Sequence, residues 1–413
     1  MRAGNPGPAA LAPGRGGPAA RARRLLRRSR HGLSGFRPRA PRRRAQSGRA
    51  ARSGHGRFHT GSRPARDRGS ARCGAGRGGI VSALLVDLGG THLRCGLSEG
   101  AQELRIVRRT RLRGFDGRDG GRIWEDVVAA VAEFNQEVRD AVPAAAPLVI
   151  SFPGPVLEGR RILDAPTVAG RASDQPDLRA LLEARTGRAV HILNDISAAA
   201  WQVSTTLAAK RFMVVTVSSG IGSKIFDRSS SQGVLDDVPY AGEIGHLTVD
   251  EAPDAPRCDC GGSGHLGAIA SGRGIERQAR RLAQSDPAFR QSVCALQLGG
   301  IPETLNNEEH LVPAARFGDA WALGVVRRCS APLARVLLAA VFATGVERVV
   351  IIGGFALGLG KVYQDLLEEE MAKRCSYRVM SGFLEQLLVM GDDDACLRGA
   401  AAFARQMERR WMS

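Results

Sequence analysis

The chain has 413 residues, 43% of them hydrophobic, which is enough for two ordinary domains with a sizeable core. Its formal charge of +18 does not by itself indicate nucleic acid: residues 1–80 hold 21 arginines, no lysine and one acid, Asp67, and the other 333 residues sum to −2. No apolar run reaches the ~18 residues needed to cross a membrane, and no signal-peptide core is present. The eight cysteines are scattered apart from Cys258 and Cys260, so a cytoplasmic protein without a disulfide framework or a membrane partner is expected.

Residues 1–80 alternate Arg with Gly, Pro, Ala and Ser and have almost no large apolar side chains. Such a segment cannot bury enough surface to offset its chain entropy, and disorder is expected. Three meanings stay open: an arm drawn to RNA or membranes, a transit peptide, or an extension without function, such as translation from an early start. The Arg/Ala/Gly/Pro bias favours the last.

From residue 80 strand-like and helical runs alternate. Leu84–Leu88 ends in Asp87-Leu88-Gly89-Gly90-Thr91 and is followed by a second apolar run, Leu93–Leu97, the pattern of a β-hairpin. Gly89 and Gly90 let backbone N–H groups approach a phosphate, Thr91 adds a hydroxyl, and Asp87 at the strand end can hold hydrated Mg²⁺. A plain Gly-Gly turn is the competing interpretation. Ile123, Val127, Val131, Phe134 and Val138 form a one-sided stripe that predicts a helix over 121–141. Strands follow at 147–152 and 190–193, with a helix near 176–187 between them. Asn194 and Asp195 stand at the end of the second strand, before a helix over 196–203.

The second half repeats the device. The run 212–217 leads into Ser218-Ser219-Gly220-Ile221-Gly222-Ser223, then Ile225 and Phe226, again strand, glycine turn and strand. Helices are predicted at 274–284, 316–343 and 361–374, with a strand at 349–352 ending in Gly353-Gly354. An amphipathic helix near 394–411 is expected to close back on the first half. Two similar hairpins, one per half, predict an α/β fold with two lobes facing a cleft. The expected lobes are 81–196 and 197–393.

Taken in order, these stretches resemble the ROK family of sugar kinases and regulators, within the actin-like ATPase fold. The resemblance covers residues 82–407. Its carriers are Asp87-Leu-Gly-Gly-Thr-His-Leu-Arg94, Phe152-Pro-Gly-Pro-Val156, Asn194-Asp195, Ser219-Gly-Ile-Gly222 and Gly242-Glu-Ile-Gly-His246. Cys258-Asp-Cys-Gly-Gly-Ser-Gly-His265, Ser271-Gly272, Gly353-Gly354 and Gly391-Asp-Asp-Asp-Ala-Cys-Leu-Arg-Gly-Ala400 complete the set.

The resemblance implies ATP and Mg²⁺ as cofactors, a small sugar-like substrate, and a homodimer or homotetramer. It places the general base at Asp195, beside the Asn194 amide that can bind a neighbouring hydroxyl. From the residues alone Asp195 as a helix N-cap is equally open. Gly89, Gly90 and Thr91 are expected to form one phosphate loop, Ser219, Gly220 and Gly222 the other, and Gly353 and Gly354 to line the adenosine pocket. No Walker-type lysine motif is present. Cys258, Cys260 and His265, with His246, have the donor types and spacing for a closed zinc site that fixes Glu243 and His246 beside the substrate. His265 stands where most of the family has Cys, so a loop that has lost its metal is the other possibility.

The substrate side departs from a glucose kinase. Thr167 replaces an Asn that follows a Pro, and Gly267 replaces a Glu that reaches the sugar hydroxyls. A missing hydroxyl partner alters discrimination by as much as ~10⁴-fold. Ser223-Lys224 stands where glycines are usual, with Lys224 either touching a phosphate or lying solvated at the surface. Thr167 and Gly267 direct the expectation to the primary hydroxyl of a C7-cyclitol, with a hexose kinase as the alternative. A ROK repressor needs a helix-turn-helix, which residues 1–80 lack, and no nucleic-acid partner is expected. The intact Asp87, Gly89, Gly90, Thr91 and Asp195 argue against a dead sugar-binding relic.

Overall fold

The computed structural model describes residues 81–89, 92–99, 103–111, 120–165, 168–170, 175–392 and 394–412. The basic segment 1–80 lies outside them, as do Gly90, Thr91 and Thr167. The first half runs β1 (Val81–Leu88), β2 (His92–Glu99), β3 (Glu103–Arg111), α1 (Gly120–Val138), β4 (Leu148–Phe152), a small ribbon of β5 (Val156–Leu157) and β6 (Arg161–Ile162), α2 (Leu178–Thr186), β7 (Val190–Asn194) and α3 (Asp195–Thr206). The second half begins with β8 (Arg211–Val217) and β9 (Ile221–Asp227), then α4 (Leu266–Ala270), α5 (Gly272–Ser285) and α6 (Val293–Leu298). It continues through α7 (Val312–Phe317), α8 (Ala320–Thr344), β10 (Arg348–Ile352), α9 (Gly354–Leu359) and α10 (Lys361–Arg374). Short α11 (Arg378–Ser381) and α12 (Leu384–Leu387), β11 (Leu388–Met390) and α13 (Ala395–Met412) end it.

Two mixed sheets organise these elements. The first has strand order β3-β2-β1-β4-β7, with β1, β4 and β7 parallel and the hairpin strands antiparallel. The second has order β11-β10-β8-β9, with β8, β10 and β11 parallel and β9 antiparallel. Each therefore begins with a hairpin and adds parallel strands, as the repeated strand–turn–strand pattern predicts.

Strand β1 shows why an almost continuous apolar run is needed. Leu84, Val86 and Leu88 lie in the core with α1, while Ala83 and Leu85 face Leu397, Ala400 and Ala404 of α13. Both faces of the strand are covered, and that leaves no polar side to alternate with. Asp87 is the exception, on the α13 face at the strand's C-terminal end. Helix α13 also packs on α3 through Ala395 and Ala402.

Several boundaries differ from the sequence expectation for local reasons. The predicted helix 316–343 is two helices, because Gly318 is left-handed at φ +92° and Asp319 caps α8 by accepting from the Ala322 N–H. Helix α1 stops at Val138, three residues short. Strands β3 and β11 have no clear sequence signal, since β3 is half arginine and β11 only three residues long.

Arg188 is a buried polar pin in the first half. It donates from Nε to Asn135 Oδ1 at 2.5 Å and from Nη1 to the carbonyls of Pro143 and Ala146 at 2.7 and 3.0 Å, tying the loop after α1 to the entrance of β7. Removing the guanidinium strands two buried acceptors, Asn135 Oδ1 and the Ala146 carbonyl. Arg188→Met is therefore expected to destabilise the fold by about 3 kcal/mol, read as a lowered urea midpoint at unchanged slope.

Candidate active site

Parallel strands β1, β4 and β7 bring their C-terminal ends to one edge, the usual location of sites in open α/β sheets. Asp87 ends β1 and Asn194 ends β7. Asn194 caps α3: its Oδ1 accepts from the N–H groups of Ile196 and Ser197 at 3.0 and 3.3 Å, and its Nδ2 donates to the Gly154 carbonyl at 2.9 Å. The capping role considered for Asp195 thus belongs to Asn194. Most of the Asn194 amide is committed to the backbone around the site.

Asp195 is the first residue of α3, and its Oδ1 accepts from the Ile196 N–H at 2.8 Å. Burial pushes its carboxyl up to about 7, and the nearby charges of Asp87 and Glu243 push the same way against the stabilising N–H groups. Asp87 comes from the first sheet and Glu243 from the loop beyond β9. Asp195 is the point at which acids from both halves act together.

Arg94 relieves part of this repulsion. It lies opposite Asp87 in the β1–β2 register and grips Asp87 Oδ2 through Nε at 2.9 Å and Nη2 at 2.6 Å. Its Nη1 donates to Asp394 at 2.8 Å, just before α13. Asp87 Oδ1 has no partner among the described residues. Gly89 closes the hairpin by donating its N–H to the His92 carbonyl at 2.8 Å.

The second hairpin turns at Ser218, Ser219 and Gly220, where the Ser218 N–H donates to the Gly220 carbonyl at 3.0 Å. A cavity of about 1040 Å³ opens beside it, lined by Ser219, Gly272, Asn307, Arg316, Gly354 and Phe355 among others. Gly272 donates its N–H to Ser218 O at 2.7 Å, and Arg273 Nε donates to Ser219 O at 2.9 Å. Gly353, at φ +99°, must be glycine: a Cβ there would lie 2.7 Å from Thr216 Oγ1 and from Val217 O. Gly222 is closed in for another reason, since a Cβ would meet Ile196 Cδ1 at 2.6 Å. Its bareness serves the packing of α3 on β9.

Sequence reasoning passed over Asn307, Phe355 and Arg316, which no glycine or acid motif marks. Asn307 lies in a π-helical turn (Asn307–Leu311), donates through Nδ2 to Gly272 O at 2.8 Å, and has a buried Oδ1 with no partner among the described residues. Lys224, expected at a phosphate or solvated at the surface, is not at the surface. It is 5% exposed and donates from Nζ to the Ala241 carbonyl at 2.7 Å. Gly267 lies against the 3₁₀ turn Ile244–His246, where a Cβ would come within 3.2 Å of Gly245 O.

His246, Cys258, Cys260 and His265 come together, with one donor atom from each lying within 4.8 Å of all the others. His246 Nδ1 is 4.0 Å from Cys258 Sγ, and His265 Nδ1 is 3.2 Å from Cys260 Sγ. These separations suit four donors around one tetrahedral ion with bonds of about 2.0–2.3 Å. The other nitrogen of His246, Nε2, is 4.0 Å from Glu243 Oε2. One imidazole thereby connects the Cys/His cluster to the acid that acts on Asp195.

With two hairpin-led sheets and an acid cluster between them, the fold is that of the actin-like ATPases. The ROK family model matches residues 83–407, and the chain belongs to the ROK family. It is 38% identical over 333 residues to a C(7)-cyclitol 7-kinase of Streptomyces hygroscopicus subsp. jinggangensis, covering 78% of this chain and 93% of that protein. It is 28% identical to a 2-epi-5-epi-valiolone 7-kinase of an Actinoplanes species, over 71% and 83% of the two chains. Among solved structures it is similar to a ROK hexokinase from Thermus thermophilus, with a TM-score of 0.58, 27% identity, and coverage of 79% and 99%.

The raised Asp195 carboxyl has a consequence for stability. Its ordinary value is 3.8 and its folded value about 7, so between those pH values the folded protein binds more protons than the unfolded chain. Stability contributed at this site therefore falls as pH rises through that window. Asp195→Asn is expected to raise Tm by about 2–4 °C or more at pH 8 and by almost nothing near pH 4, as read by calorimetry at both pH values.

Proposed function

We propose that this chain transfers the terminal phosphoryl group of ATP to the primary hydroxyl of a C7-cyclitol. The single observation that carries the chemistry is Asp195, a desolvated carboxylate acted on by Asp87 from one half and Glu243 from the other. A base with its pKa near 7 suits removal of a proton from an alcohol at neutral pH. In this reaction the substrate oxygen bonds to the γ-phosphorus, its proton passes to Asp195, and the bond to the leaving ADP breaks. Mg²⁺, when bound, neutralises charge on the phosphates, and Asp87, whose Oδ1 has no partner among the described residues, is the residue that would hold it.

The other assignments follow from position. Ser219, Gly220 and Gly222 border one phosphate turn, and Gly89, Gly90 and Thr91 are assigned the other. Gly354 and Phe355 line the cavity assigned to the base, with Gly353 as the cap just before them, and Asn307 Oδ1, without a partner among the described residues, is an acceptor suited to a purine amine. Glu243, His246 and Thr167 are assigned to the acceptor side, with Asn194 setting the loop around Gly154. Support for a cyclitol comes from the relative at 38% identity and from Gly267, which offers no side-chain acceptor to a sugar's O1/O2 edge. The halves are assigned as lobes 81–196 and 197–393.

Turnover by the purified chain with ATP over hexoses, N-acetylated amino sugars, inositols and C7-cyclitols tests the substrate. The highest kcat/KM is expected for a C7-cyclitol, and a preference for glucose makes the chain a hexose kinase instead. Asp195→Asn is expected to lower kcat by about 10²–10⁴-fold with acceptor binding retained in calorimetry. Wild-type kcat/KM is expected to decline as pH falls below about 7.

We assign structural Zn²⁺ to His246, Cys258, Cys260 and His265. It would supply folding energy and fix the loop that presents Glu243, without entering the reaction. Purified protein is expected to carry about one zinc per chain, and its removal by chelation to lower Tm. A content under about half an ion per chain rules the site out.

A further inference from the structure

The segment from Val234 to Glu243 forms a strap between β9 and the acid cluster. It starts as an added antiparallel strand: Val234 bridges Phe226, and the Leu235 N–H donates to Ile225 O at 2.9 Å. Continuing that register sets Asp236 opposite Lys224. The two do not form an ion pair. Asp236 Oδ2 instead accepts from Ser197 Oγ at 2.6 Å, in the first turn of α3, two residues after Asp195. Lys224 Nζ instead donates to Ala241 O at 2.7 Å, two residues before Glu243.

Ser223 adds a third hold. Its N–H and Oγ both donate to Gly242 O, at 2.9 Å each. Gly242 is left-handed at φ +80°, and a Cβ on it would fall 1.8 Å from Ser223 O, so the strap rests directly on β9. Burying an ammonium against a lone carbonyl is unfavourable, as is placing an acid and a base opposite one another without letting them pair. Both side chains reach away from each other to the two places that set where Glu243 stands relative to Asp195.

We propose that Lys224, Asp236 and Ser197 are positioning residues: together they anchor the 234–243 strap to β9 and to the first turn of α3, and so fix the acceptor side of the site. None of them need touch the substrate. Lys224 sets the height of the 241–242 turn over β9, Asp236 with Ser197 fixes the strap to the helix that carries the base, and Glu243 follows from both. The acceptor-side consequence rests on the proposed kinase activity; the anchoring itself does not.

The test uses the full chain in four forms: wild type, Lys224→Met, Lys224→Arg and Ser197→Ala. Lys224→Met is expected to raise the acceptor KM about 10-fold while the ATP KM and kcat change less than about 2-fold, and Lys224→Arg to recover most of the loss. Ser197→Ala is expected to act in the same direction. In parallel, amide hydrogen exchange of residues 236–246 is expected to quicken in Lys224→Met and Ser197→Ala, with that of α5 unchanged. Equal rises in both KM values, or a lower Tm with unaltered kinetics, overturn the positioning role. Unaltered exchange over 236–246 overturns the anchoring. Should Lys224→Met fail to fold, Ser197→Ala, which loses one hydroxyl, decides by the same measurements. If wild type phosphorylates no polyol, the proposed function fails, while exchange still decides whether the strap is held in this way.

Discussion

Burial of the Asp195 carboxyl, reinforced by neighbouring carboxylates, governs the site. Asp195 is held where solvent is scarce, and the charges of Asp87 and Glu243 add to the cost of ionising it. Most of the surrounding architecture can be understood as containing that tension. Arg94 clamps one oxygen of Asp87 in bidentate fashion and turns its remaining nitrogen to Asp394. Asn194 holds the start of α3 and the Gly154 loop with one amide, so the helix that presents Asp195 cannot move without breaking three hydrogen bonds. A carboxyl held ready to take a proton near neutral pH is the result.

The second half solves a different problem, close backbone contact. Gly242, Gly245 and Gly353 each lie where a Cβ would come within 1.8–2.7 Å of a carbonyl or hydroxyl oxygen. These glycines let the loop after β9 and the strand after α8 approach the β8–β9 hairpin, which opens the adjoining cavity on one side and carries Glu243 on the other. The Cys/His cluster extends the same logic, since His246 belongs both to the four-donor group and to the surroundings of Glu243.

Much of this was legible in the sequence because local rules produce it. The two hairpins, the strand-end Asn194-Asp195 pair and the spacing of Cys258, Cys260 and His265 are all short-range patterns, and the structure places each in the expected element. What escaped depends on residues far apart in the chain. The Arg94–Asp394 pair spans 300 positions, and Arg188 finds its acceptors 42 to 53 residues away. A lysine in a strand signals solvent, yet Lys224 is buried because a later loop folds over it. Gly222 has a packing reason to be bare that its turn motif does not reveal, since Ile196 on a neighbouring helix lies against it. The break at Gly318 was missed because apolar periodicity runs through it.

The outer face of β1 and β4 is covered by α13, and the Arg94 clamp is completed by Asp394 just ahead of that helix. On the ribosome, a nascent chain whose first sheet is complete at Asn194 must wait for about two hundred more residues before that sheet acquires its lid at Ala395. Leu85 and Val149 stay open to water and to other chains throughout this interval. Completion of the Arg94 clamp by Asp394, and closure of this face of the sheet, are accordingly among the last steps of folding.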